Sequence, residues 1–332
     1  MLRTARKRGP HKNPIKKHVR IEQGTRKVFA DGNLYIEYNK AIQEAGMVLK
    51  ENRVLKSVIV FVICLIVHAA EVFFIRTDET VFAECFINKV FGIVMLFVLL
   101  KLWGRKWSDI GFKKARLIPD CVKGFLICAL FYSIGFAAEF IILKASGNPG
   151  HIEFFVTGFS LTGNVVKQTG IGYVLMCIGF NIINVWMEEG LFRGFYITYL
   201  KERITPRKAL LIAAFLFGLW HLVTPLRSVI DGEMTLPAFA VMSIGYVVLS
   251  ALMGIKWGIL YEQSGSVWIG LADHFFNNCV VTNLLHVVTD TGVDEYQIMR
   301  VLIGELTSFA AVVIYVKVKK SKAAKAIACT AS

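Results

Sequence analysis

Eight stretches of mostly apolar residues follow one another between residues 54 and 316, each near the length of about 20 that crosses a bilayer as a helix. They lie at 54–75, 82–103, 121–143, 171–197, 208–226, 236–260, 266–288 and 298–316. In lipid the backbone must satisfy its own polar groups, so runs of this length leave helices as the available structure. The net charge of +14 is unevenly placed. Residues 1–56 hold 14 basic and 5 acidic side chains, residues 317–332 hold 5 basic and no acidic ones, and residues 57–316 carry 19 of each sign. A body that is 55% apolar over the whole chain is not an intrinsically disordered one. Basic charge confined to the ends is not the basic folded face of a nucleic-acid-binding protein, so no nucleic-acid partner is expected. Seven cysteines, sparse and odd in number, do not make a disulfide-stapled secreted domain. The fold class that follows is all-α, a polytopic membrane protein of about eight transmembrane helices.

Three segments are expected: a basic cytoplasmic N-terminal tail over 1–53, an eight-helix domain over 54–316, and a basic cytoplasmic C-terminal tail over 317–332. The connection after the second stretch carries Lys101, Arg105, Lys106, Lys113, Lys114, Arg116 and Lys123; the fourth carries Lys201, Arg203, Arg207 and Lys208. The first, fifth and seventh are neutral or acidic. This alternation is the positive-inside bias and places both termini in the cytoplasm, which needs an even number of spans. Pro119, Pro149, Pro206, Pro225 and Pro237 fall at or near segment ends, where the missing amide proton is tolerated. The first apolar run begins too late for a cleavable export signal, so it is expected to act as its own insertion signal. The basic tail is expected to lie near anionic membrane lipids.

Ionisable groups at bilayer depth cost at least about 2.5–3.5 kcal/mol and ask for a partner or a function. The fourth stretch contains Asn181, Asn184, Glu188, Glu189 and Arg193, the fifth ends at Trp220-His221, and the seventh contains Asp273, His274, Asn277 and Asn278. At about 100° per residue, Arg193 shares a face with Glu189 and not with Glu188. Glu189 is therefore its i,i+4 ion-pair partner. Glu188 is left to point elsewhere, with Asn184 as a neighbour. His274 and Asn278 share a face, as do Phe217 and His221. Glu188, kept from bulk water, suits a general base acting on a water, with His221 assisting. His274 and Asn278 suit donors to a developing oxyanion. The reaction that uses all four is amide hydrolysis within the membrane. The competing reading is interhelical hydrogen bonding, which three clusters on three helices make the weaker one. His68, Glu71, Glu139 and Glu305 are read as snorkelling or interhelical groups.

The runs Glu188-Glu189-Gly-Leu-Phe-Arg193, Phe217-Gly-Leu-Trp-His221 and His274-Phe-Phe-Asn-Asn278 resemble the three motifs of the CAAX protease and bacteriocin-processing (CPBP, or Abi) family of intramembrane proteases. The run Gly258–Trp268 also looks like the family's approach to its third motif, and the resemblance covers about residues 171–290. It implies eight helices around a cavity open to cytoplasm and lipid, with a peptide or lipidated protein as substrate. Catalysis would fall to Glu188, His221, His274 and Asn278, supported by Glu189 and Arg193. The Phe-Arg-Gly around Arg193 looks more like bacterial members, which points to a cell (plasma) membrane of bacterial origin. On zinc, a His-Glu-x-x-His helix is absent. Glu188, His221 and His274 could still supply the three ligands of a catalytic ion. The metal-free glutamate mechanism is the preferred reading and no cofactor is favoured. A non-catalytic immunity or scaffold protein that binds a peptide in the same cavity is the alternative.

Overall fold

A computed structural model describes residues 52–157 and 167–331, apart from 81 and 83, with side chains described as far as 323. The tail expected over 1–53 falls almost entirely outside the described residues. Among the described residues, six helical stretches are long and apolar enough to cross a membrane: Arg53–Glu79, Lys114–Ala145, Ile171–Lys201, Pro206–Ile230, Leu236–Ser264 and Gln297–Ala323. The other two expected spans are also helical but shorter. Helices α1 (Arg53–Ala70) and α2 (Ile87–Trp103) form the first two. α3 (Leu117–Ala145) and α4 (Ile171–Glu188) follow, and α4 leads through a π-helical stretch, Glu189–Ile197, into α5 (Thr198–Lys201). α6 (Pro206–Trp220), α7 (Val223–Ile230) and α8 (Leu236–Ser264) come next. α9 (Trp268–Phe275) continues as a π-helical stretch, Phe276–Thr282, and α10 (Gln297–Ala331) closes the chain. The all-α expectation holds, and α10 runs on through residues expected to form a tail.

Contacts between connections sort the ends of the helices onto two faces. On one, Arg53 at the start of α1 bonds Glu202 after α5, at 2.5 Å, and Arg105 after α2 reaches the same carboxylate. The Trp268 indole donates to the carbonyl of Lys113, and Lys319 of α10 reaches Gln263 at the end of α8. On the other, Arg76 after α1 meets Asp231 after α7. There too β1 (His151–Phe154) pairs antiparallel with β2 (Leu285–Val288), from His151 opposite Val288 to Phe154 opposite Leu285. The second, fourth and sixth connections therefore share a face, as alternating passage of eight helical segments requires. The two-stranded ribbon was not expected: four-residue strands between long apolar runs leave little alternation to read.

Helix starts follow ordinary capping. Thr205 and Thr235 accept from the amides of Lys208 and Ala238, each just ahead of an early proline. Glu71 accepts from the amides of Ile87 and Asn88 and from the Asn88 side chain, so a buried carboxylate closes the N-terminus of α2. α3 packs closely on α9 because residue 124 is glycine: a Cβ there would stand 2.4 Å from the Ile269 carbonyl oxygen. Gly124→Ala should cost about 1–3 kcal/mol, as overpacking does, read as a lower melting temperature in detergent.

Beneath the ribbon, Arg300 spans Glu139 at 2.7 Å and Asp294 at 2.9 Å, and His286 Nδ1 lies 2.6 Å from Asp294. Burial alone would push the Asp294 carboxyl up, but the bonds from His286, Arg300 and the Val287 amide hold it below its ordinary value. A carboxyl held low in the folded state contributes stability above its unfolded value of about 4, lost as pH falls through the folded value. The melting temperature of the wild type should drop more steeply below about pH 4 than that of Asp294→Asn.

Candidate active site

The first motif lies where α4 gives way to the π-helical stretch, a widening that recurs at functional sites. There the two adjacent carboxylates diverge. Glu188 Oε1 accepts from Lys89 Nζ of α2 at 2.6 Å and from Trp220 Nε1 at 3.2 Å. Glu189 Oε1 lies 3.0 Å from His274 Nδ1, and its Oε2 is 3.3 Å from Arg193 Nε. The i,i+4 pairing expected for Glu189 and Arg193 is thus present, and Glu188 points elsewhere. Asn184 is buried with an unpartnered Oδ1, and the structure gives it no bond to Glu188.

Arg193 is held by ring faces. Its guanidinium carbon sits 4.0 Å from the Phe217 ring centre and 4.8 Å from that of Trp257. A desolvated cation over aromatic faces is worth about 2 kcal/mol or more. Trp257 also stacks on His274 at 4.1 Å, and its Nε1 donates to Asp273 at 2.6 Å. The second and first motifs therefore share Phe217, whose ring also meets the His221 ring edge-on at 4.7 Å. His221 stands at the break between α6 and α7, half-buried, with Nδ1 2.9 Å from the Phe217 carbonyl oxygen. That leaves Nε2 without a hydrogen bond among the described residues.

His274 Nε2 comes to 3.6 Å from Glu188 Oε2, beyond hydrogen-bonding distance. Asn278 lies in the second π-helical stretch. Its Oδ1 accepts from Asn277 Nδ2 at 2.9 Å, and Asn277 in turn accepts from the Tyr132 hydroxyl. The Asn278 amide nitrogen thus remains a donor. Glu188, Glu189 and His274 are 3%, 0% and 2% exposed, while His221 and Asn278 are half-buried. Glu188, Glu189, Arg193 and His274 are joined by close charge contacts, and His221 reaches them through the Phe217 ring. Asn278 stands one helical turn from His274 and has no hydrogen bond to the others among the described residues. Two open surface cavities, of about 550 and 240 Å³, are lined by residues 201–205 with Lys208, and by Leu222, Ser243, Ile244, Val247 and Val248. No motif residue lines either.

Lys89, Trp220 and Trp257 were missed from sequence. The signal for Lys89 was a single cation inside an apolar run, which needs a buried partner just as Glu188 does. His68 does not snorkel: it is buried, stacks on Trp220 at 4.2 Å and has an unpartnered Nδ1. Glu139 and Glu305 make interhelical ion pairs, with Arg300 and Lys256.

The three proposed zinc ligands do not fit a zinc site as arranged. Among the described residues no group of three or more His, Cys, Asp or Glu side chains is placed to hold a metal. Glu188 Oε1 is also taken by an ammonium.

Removing one member of a buried ion pair costs about 3–5 kcal/mol, whereas replacing both can be nearly neutral. Arg193→Met should therefore lower the melting temperature more than the double variant Arg193→Met/Glu189→Gln.

No curated protein matches the chain. Residues 170–280 match the Rce1-like family, described as type II CAAX prenyl endopeptidase Rce1-like. All three motifs fall inside that segment, so the resemblance to CAAX-processing intramembrane proteases stands on the part of the chain that builds the site.

Proposed function

We propose that the protein is an intramembrane endopeptidase that hydrolyses a peptide bond of a membrane-associated protein or lipidated peptide. The observation that carries this reading is the convergence of three motifs, from separate helices, on the adjacent carboxylates Glu188 and Glu189 in a site walled by aromatic rings.

In this reading Glu188 takes a proton from water through Oε2, the oxygen not engaged by Lys89, and His221 assists through Nε2. The hydroxide adds to the scissile carbonyl. His274 donates to the resulting oxyanion through Nε2–H, its ring oriented by Glu189 at the Nδ1 side. The Asn278 amide is the second donor, each such donor typically worth about 2.7–4 kcal/mol in the transition state. Collapse expels the amine, which takes the proton from Glu188. No step passes through a metal. The substrate is either a prenylated C-terminus or a peptide of the bacteriocin or leader type. A bacterial cell membrane with both termini in the cytoplasm is part of the proposal; its orientation is supported by the basic second and fourth connections sharing one face.

The test uses proteoliposomes and an internally quenched peptide ending in a farnesylated Cys-aliphatic-aliphatic-X sequence, with the same peptide unfarnesylated beside it. Wild-type protein should cleave the farnesylated probe, unaffected by phenanthroline. Glu188→Ala and His221→Ala should lose about 10²–10⁴-fold in kcat. Equal cleavage by all three proteins would overturn the assignment.

A further inference from the structure

The structure assigns Lys89, which lies outside the segment that matches a known family, as the positioning residue that decides which oxygen of Glu188 is free to act as base. This rests on Glu188 being the base, as proposed above. The Lys89 ammonium, on a residue 8% exposed, makes the shortest polar contact of Glu188, at 2.6 Å to Oε1. The Trp220 indole donates to that same oxygen, and the ammonium lies 5.1 Å from the Trp220 ring centre. Two donors thus occupy Oε1, and Oε2 is left facing His274 Nε2 across 3.6 Å.

The backbone is built to hold Lys89 there. One residue before it, Asn88 is tied by its amide and side chain to the buried Glu71, which pins the first turn of α2. One turn after it, Gly92 lets α2 close on α4: a Cβ at residue 92 would stand 2.5 Å from Cγ of Met187, the residue before Glu188. Lysine suits this task because its ammonium is a point charge that can satisfy one oxygen. A guanidinium presents a planar fork that engages both carboxylate oxygens.

That difference separates positioning from mere charge compensation. Lys89→Arg keeps the countercharge but should occupy Oε2 as well. In the farnesylated-peptide assay its kcat should fall by about 10²-fold, with KM within about twofold and an unchanged melting temperature. Lys89→Gln keeps a donor to Oε1 without the charge and should also lose kcat rather than raise KM. Wild-type kcat in either folded variant would overturn the assignment, as would a loss that appears only as raised KM. If Glu188→Ala abolishes cleavage while Lys89→Arg is fully active, only this inference fails. If Glu188→Ala is active, the peptidase mechanism fails with it.

Discussion

The interaction on which the rest of the structure depends is the ion pair between Lys89 and Glu188, set in the protein interior away from bulk solvent. A lone carboxylate in this place would carry a desolvation penalty of several kcal/mol, and an ammonium from another helix offsets it. Three further groups of buried charges follow the same rule: Glu189 has Arg193, Arg300 lies between Glu139 and Asp294, and Lys256 lies between Asp273 and Glu305. Lys89–Glu188, Arg300–Glu139 and Lys256–Glu305 join helices far apart in sequence, whereas Glu189–Arg193 is local and lies in the π-helical turn. Charge that would be ruinous alone becomes the reason the helices meet in one register.

Aromatic rings complete the compensation. Phe217 is shared by Arg193, His221 and His274, and Trp257 by Arg193 and His274. Trp220 carries Lys89 and His68 on its ring and donates to Glu188. Because these groups are largely buried, each hydrogen bond and charge contact acts through a lower dielectric and is stronger than at a surface. The Lys256–Asp273 pair and the Tyr132–Asn277 bond stand behind His274 and Asn278 and tie them to α3, α8 and α10. The polar residues of this half are therefore one supported constellation rather than scattered interhelical bonds.

Much of this was legible in the sequence, for physical reasons. The spans could be read because lipid demands length and apolarity, and the faces because basic loops alternate with neutral ones. The Glu189–Arg193 pair followed from helical angle alone, and it survives the π-helical widening. Lys89 was hidden because one lysine near the start of a span reads as a residue reaching for the interface. Only the fold shows Gly92 drawing α2 onto Met187 and Glu188. His68 reads in the sequence as a snorkelling or interhelical group, and its stacking on Trp220 of another helix is the interhelical alternative, though spacing could not name the partner. The ribbon of His151–Phe154 with Leu285–Val288 joins segments too short and too distant to signal one another. The family match covers 170–280 and stops short of α2, so it too leaves Lys89 out.

The most direct measurement is a single turnover of the farnesylated peptide in H₂¹⁸O, with mass analysis of both the product and the enzyme peptide containing Glu188. If Glu188 activates water through its free oxygen, the label appears in the new carboxyl terminus of the product and Glu188 stays unlabelled. An unlabelled product together with label in the Glu188 carboxylate would show direct attack by the carboxylate through an acyl intermediate and would contradict the role given to Lys89 and Glu188 alike.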